Sequence, residues 1–322
     1  MKRHKICKII FAILAVFLCV AFYELIGICI TYKKQPAVSD ATIKETQNIM
    51  SVAGRENTER AVIIEKNSQA LLERVRLIQN AKDEIILSTF AFKSDESGKL
   101  ILGALHDAAD RGVHVRILVD GMESWIDMEG NPYFYGLSSH ENVEIKLYNK
   151  ANPLKPWKTM GRMHDKYLIA DGKIYILGGR NTYNYFLGDF PGHKNFDRDV
   201  LVVCDEPQKD NSVNQLWNYF ETIWEQEDCR YFHNSKKLAD RQSVKKAVLE
   251  LQEGYQQYFE VNKEKICDTD YADETFETEK ITLLSNPIHT QAKEPVVWYQ
   301  LGELMKKCKG TRKNSYTIYY LQ

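Results

Sequence analysis

Apolar residues fall into distinct regimes along the chain. Residues 9–32 run apolar for 24 positions with Glu24 as the one charged side chain, enough for the about 20 residues a helix needs to cross a bilayer. Residues 33–60 are polar and predict a tether. Beyond them the pattern becomes periodic. Leu71, Leu72, Val75, Ile78 and Ala81 recur at helical spacing, and residues 84–92 (EIILSTFAF) have the β-branched and aromatic content of a strand. A second helix over 98–111 carries Ile101, Leu102, Leu105 and Ala109. Val113, Val115, Ile117 and Val119 then alternate as a half-buried strand should, ending at Asp120 and Gly121. A third strand over 143–148 follows a long loop with Trp125 and Pro132. Helix and strand in alternation predict an α/β layer architecture.

Residues 162–181 (RMHDKYLIADGKIYILGGRN) place two apolar runs around Asp171 and Gly172, a strong hairpin signal. A strand over 199–204 and a helix through Leu216, Trp217, Phe220, Ile223 and Trp224 complete the unit, with both tryptophans read as core. Residues 227–280 are charged, with helical stretches such as 244–251, and predict a connector. Near the end, Val297, Leu301 and Leu304 at helical spacing and a strand over 316–321 echo the helix and strand of 71–92, as the opening of a second repeat would. The expected division is 1–32 cytoplasmic tip and membrane helix, 33–60 tether, 61–226 first lobe, 227–280 connector and 281–322 incomplete second lobe.

The formal net charge is -1, and residues 33–322 hold 39 basic against 43 acidic side chains. That balance lacks the basic footprint that phosphate-backbone binding rewards, so a nucleic-acid partner is not expected. Lys2, Arg3, Lys5 and Lys8 precede the apolar run and Lys33 and Lys34 follow it. The positive-inside tendency therefore predicts a single-pass protein of the cell membrane, with a cytoplasmic N-terminus and the large domain on the outer side. A cleaved secretory signal, with Ala37 and Ser39 before the cut, is the alternative. Signal cores run about 7 to 15 residues, and this apolar run is longer and followed by two lysines. A lipoprotein reading of Cys29 is weaker, because Ile28 before it is bulky. Cys204, Cys229, Cys267 and Cys308 are too widely separated for a close-spaced metal site, and form either one disulfide or buried and idle thiols.

The chemistry concentrates in one stretch. His164, Lys166 and Asp171 form H-x-K-x-x-x-x-D, and Gly178, Gly179, Arg180 and Asn181 follow. Together they resemble the signature of the phospholipase D superfamily. Side chains two apart on a strand share a face, so His164 and Lys166 can converge on one phosphate. Neutral imidazole is nucleophilic near physiological pH, and His164 could form a phosphohistidine. Lys166 supplies a fixed cation to the phosphate oxygens, and Asn181 a hydrogen bond to the charge developed in the transition state. Gly179 and Asn181 join Lys166 as candidate substrate contacts. Asp171, counted with His164, Lys166 and Asn181 among the catalytic candidates, has the opposite strand parity and lies at the turn, which suits holding the hairpin or orienting its partners rather than touching substrate. No metal or cofactor is needed.

The resemblance spans about residues 68–224. ALHDAADRGVHVRILVDG, RMHDKYLIADG, LGGRN and FDRDVLVV look most like the bacterial cardiolipin synthase branch. It implies a mixed sheet flanked by helices, and transfer of a phosphatidyl group through the histidine to an alcohol of a second, phosphatidylglycerol-like lipid. It also implies two facing motif copies, one histidine attacking while the other protonates the leaving oxygen. Residues 182–322 hold no second H-x-K. Three expectations follow: a shortened polypeptide, poorly active alone; a homodimer in which two copies of His164 meet, as in the small nuclease branch; or a non-catalytic membrane-tethered lobe that binds phospholipid headgroups.

Overall fold

The computed structural model describes residues 2–31, 33, 35–51, 59–207, 209–290 and 292–307. Helix α1 (Lys2–Thr31) is, over His4–Ile30, long and apolar enough to cross a membrane. The segment expected as a tether is partly structured. It contains α2 (Asp40–Ser51), and β1 (Glu59–Ile64) begins before residue 61. Thr42 and Thr46 are buried polar positions of α2, which loop-like composition concealed.

The domain continues through α3 (Asn67–Asn80), β2 (Glu84–Thr89), α4 (Glu96–Asp110), β3 (His114–Asp120), α5 (Gly121–Asp127), α6 (Pro132–Ser138) and β4 (Val143–Tyr148). The hairpin β5 (Tyr167–Ala170) and β6 (Ile174–Gly178), then β7 (Asp199–Cys204), α7 (Ser212–Trp224) and β8 (Cys229–Tyr231), follow. The chain then runs through α8 (Gln242–Ile266), β9 (Phe276–Glu277) and α9 (Val296–Lys307). One nine-stranded sheet results, in the order β8-β4-β3-β2-β5-β6-β7-β1-β9. β2, β3 and β4 are parallel, joined by crossovers, and the remaining pairings are antiparallel.

Strand periodicity sorts the two faces. Ile85, Leu87, Val115, Ile117 and Val119 pack under α3, α4, α6 and α8, whereas Ile86, Leu118, Tyr167, Ile169 and Val202 pack under α7. Phe220 and Trp224 of α7 are buried there, as expected of core, while Trp217 is half-buried and its indole N–H donates to Glu84 Oε2 at 3.1 Å.

The stretch 227–280 departs from the connector expectation. β8 completes one sheet edge and β9 the other, and α8 buries Val244, Ala247, Leu251 and Tyr255. The i, i+3 and i+4 spacing of those side chains within a charged helix makes an apolar stripe that covers α4 and α6. Residues 281–290 lie on the α7 layer, where Ile288 is buried and Leu283 N–H donates to Gln215 Oε1 at 2.9 Å. α9 forms where helical spacing predicts it; the strand expected over 316–321 lies outside the described residues. Cys204 and Cys229 are buried thiols and Cys267 an exposed one, while Cys308 lies outside the described residues.

Candidate active site

The parallel strands β2, β3 and β4 end on one side of the sheet, at Thr89, Asp120 and Tyr148. Because β5 is antiparallel to β2, its start lies at that same side, together with the end of β6 and the start of β7. This topology gathers residues far apart in the chain.

His164 and Lys166 precede β5 rather than lying in it, since the β2–β5 ladder ends with Ser88 opposite Tyr167. The alternation of faces nevertheless extends upstream. Lys166 N–H lies beyond the ladder, yet its carbonyl still accepts from Gly178 N–H at 3.2 Å. The intervening Asp165 turns to the α7 layer, where the Tyr219 hydroxyl donates to its Oδ2 at 2.8 Å. On the opposite face, the exposed His164 ring meets Phe90 with centroids 4.6 Å apart, and Lys166 Nζ lies 5.3 Å from the same ring. The Lys166 ammonium donates to the His164 carbonyl oxygen. The two side chains thus converge.

Asn181 arrives from the turn after β6. Its Oδ1 accepts from Ala91 N–H at 3.2 Å, next to Phe90, an orientation that leaves the amide NH2 as the donor end. Gly179 is fixed by proximity: a Cβ there would lie 2.0 Å from the Asp197 carboxylate. The neighbouring Arg180 is fully buried and pairs with Asp199 at 3.2 Å, while donating to Asn67 Oδ1 at 3.1 Å and Glu65 O at 2.7 Å. These bonds anchor the Gly-Gly-Arg-Asn turn to β1 and α3.

Asp171 is elsewhere. Its backbone adopts φ 53°, and its carboxylate accepts from the amides of Lys82, Asp83 and Glu84 at the start of β2. Five residues of extended chain separate it from Lys166, about 17 Å at about 3.3 Å per residue.

Burial pushes the Lys166 ammonium down to about 8, against the opposing pull of Asp165, Asp197 and Asp120. The wholly buried Asp165 carboxyl is pushed up to about 7, with the Tyr219 hydrogen bond, Lys166 and Lys293 pulling the other way.

Four further residues build the site. Phe90 is the shelf just described. The Arg162 guanidinium lies 5.1 Å from its ring and pairs with Asp120 at 2.6 Å. Asp120 also accepts from the amides of Met122, Glu123 and Met163, so it caps α5 and pins the approach to His164. Asp197 adds negative charge near Lys166. Arg162, His164 and Lys166 stand at i, i+2 and i+4, a parity from which Arg162 could have been read as a neighbour. Phe90, Asp120 and Asp197 carried no such signal; the sheet order unites them.

Residues 75–224 match the family model described as "Cardiolipin synthase, PLD-like domain". They form a phospholipase D-like domain. This chain is similar to an uncharacterized protein of Helicobacter pylori (strain ATCC 700392 / 26695), 33% identical over 181 residues that cover 52% of this chain and 35% of that protein. It is also similar to cardiolipin synthase C of Escherichia coli (strain K12), 29% identical over 154 residues, 44% of this chain and 31% of that one. The alignments thus span about a third of the length of these curated relatives. Among solved structures, NucT from Helicobacter pylori aligns with a TM-score of 0.42 and 17% identity, covering 54% of this chain and 99% of that chain. The phospholipase D-like domain contains every residue of the Phe90 cluster.

Proposed function

We propose that the chain is a phosphatidyltransferase of the cardiolipin synthase type, working on a phosphatidylglycerol-like phospholipid. The observation that supports this reading is the seating of His164 and Lys166 against one Phe90 ring, at the end of a phospholipase D-like sheet. An imidazole nitrogen of His164 attacks phosphorus, and the bond from phosphorus to the leaving oxygen breaks. That oxygen takes a proton from a general acid. An alcohol of the second lipid then attacks the phosphohistidine, gives up its proton and releases the imidazole. Lys166 neutralises the non-bridging oxygens and the Asn181 amide donates to them. Gly179 lets the turn approach Asp197, and Asp171 holds the hairpin onto β2. The general acid is a second imidazole, from another lobe or from a second copy of the chain. α1 anchors the enzyme in the cell membrane, N-terminus cytoplasmic and catalytic domain outside.

The test offers the purified chain, reconstituted in vesicles, phosphatidylglycerol labelled on phosphorus and, separately, single-stranded DNA. Protein quenched in neutral denaturant, where a phosphorus–nitrogen bond survives, should carry label that His164→Ala loses, and product should form from lipid alone. Labelled His164→Ala would remove the covalent mechanism; product from DNA alone would replace the lipid reading with a nuclease.

A further inference from the structure

Helix α1 does not stand clear of the domain. The Tyr23 hydroxyl donates to the Leu154 carbonyl oxygen at 3.1 Å, and a Cβ at Gly27 would lie 2.5 Å from Pro156 Cγ. The bare backbone at Gly27 is what lets the loop of residues 149–161 lie on the helix. Glu24, Gly27 and Ile28, spaced i, i+3 and i+4, are half-buried on this one face, whereas nearly all the rest of the apolar stretch is exposed. Tyr23 precedes Ile30, the end of that stretch, by seven residues, about 10 Å at about 1.5 Å per residue. The loop therefore meets the helix inside its apolar length, at the depth of about 5–10 Å where interfacial segments sit.

The loop is built for such a place. Leu154, Trp157 and Met160 are 77%, 43% and 55% exposed. α5 abuts it, with Gly121 facing the Lys150 backbone, and adds Trp125 and Ile126 at 62% and 66%. Lys150 and Lys155 are exposed beside them. Scattered surface apolar residues are ordinary, but three of these five lie on the loop that touches the membrane-length helix and two on the helix that meets that loop at Lys150. Tryptophan with flanking cations is the composition of a membrane interface. The rim is also held rigid. Asn149 Nδ2 donates to the carbonyls of Lys158 and Gly161 at 2.7 and 2.8 Å, and Lys158 pairs with Asp228 at 2.6 Å.

We propose that this rim docks into the bilayer beside α1, with Trp125, Leu154, Trp157 and Met160 at the headgroup–acyl boundary and Lys150 and Lys155 on anionic headgroups. Met160 lies four residues before His164, and the Arg162–Asp120 clamp lies between them. Docking therefore sets the imidazole at headgroup height, where a lipid phosphate reaches it without leaving the membrane. The inference rests on α1 spanning the bilayer and not on the reaction at His164.

The full chain is reconstituted in phosphatidylcholine–phosphatidylglycerol vesicles whose acyl chains carry bromine near the headgroup, and tryptophan emission is read. Bromolipid should quench the chain, and Trp125→Phe with Trp157→Phe should remove more than half of that quenching. Leu154→Glu, which leaves both tryptophans in place, should lower it at least twofold. His164→Ala should be quenched like the unaltered chain, so a failure of the catalytic reading leaves this measurement unmoved. Equal fractional quenching with and without Trp125 and Trp157 would overturn the docking, whether water or a second protein copy covers the rim.

Discussion

The His164 imidazole meets the Phe90 ring edge to face, with centroids 4.6 Å apart and planes inclined at 66°. Lys166 approaches the same ring, so one apolar side chain contacts both the proposed nucleophile and the cation. An edge-to-face pair contributes about 0.5–1.5 kcal/mol beyond its buried area, and misplacing a reacting group by about 1 Å costs up to about 100-fold in rate. Phe90→Leu should therefore lower kcat for lipid transfer by roughly 10- to 100-fold with KM little changed. Phe90→Tyr should stay close to the unaltered chain. Steady-state kinetics on phosphatidylglycerol vesicles separates the two, and equal kcat in Phe90→Leu would remove the shelf.

Lys166 links activity and stability in opposite senses. Burial lowers its folded-state value from 10.5 to about 8. The cation proposed to grip phosphate is therefore lost as pH rises through about 8, and phosphohistidine formation should fall there; Lys166→Arg should move that fall to higher pH. The stability sign is reversed. Between about 8 and 10.5 the unfolded chain binds more protons, so stability rises with pH across that window, and below it the buried charge is a cost. Lys166→Met should then raise stability at pH 7 by up to about 3 kcal/mol, at about 1.4 kcal/mol per unit, while abolishing transfer. Denaturant melts at pH 7 and 10 check this: the gain should shrink at the higher pH.

Asp165 behaves as the inverse case on the far face of the strand. Its buried carboxyl is raised from 3.8 to about 7, so between those values the folded state holds the extra proton and stability falls as pH rises. Asp165→Asn retains an acceptor for the Tyr219 hydroxyl and removes the titration. It should stabilise the protein by roughly 2–4 kcal/mol at pH 8 and change little at pH 4. Melting curves at the two pH values suffice; an equal shift at both would mean that the effect comes from packing rather than charge.

Most of the sheet and its helices were legible because strands buried on both faces leave β-branched and aromatic runs in the sequence and each helix with one buried stripe leaves a period of 3.6. β8 and β9 were not, since strands of three and two residues show no period. α8 was read as a connector because its charged face outweighs its stripe. For the site, the spacing of His164 and Lys166 announced their convergence, although they lie just outside β5, because alternation outlasts the ladder by a few residues. The turn parity of Asp171 set it apart from them, and its carboxylate lies on the amides of Lys82, Asp83 and Glu84. Phe90 and Asp120 were invisible for a different reason. Phe90 follows the last residue of β2 and Asp120 ends β3, and only the parallel order of those strands delivers their C-terminal ends to the start of β5.

Gly179 gives the last test, because two explanations of the Gly-Gly turn predict different outcomes. If the glycine serves chiefly to let Asp197 close on the turn, the added methyl of Gly179→Ala meets that carboxylate at 2.0 Å and the turn must shift. Overpacking of this kind costs about 1–3 kcal/mol. The cost should largely vanish when Asp197→Gly is added, and a double-mutant cycle reads the coupling directly. If instead Gly179 is needed for backbone approach to the substrate phosphate, Gly179→Ala should leave stability nearly unchanged and raise KM, and Asp197→Gly should rescue nothing. Thermal melts of the four chains, with KM for vesicle lipid measured on each, separate the two roles.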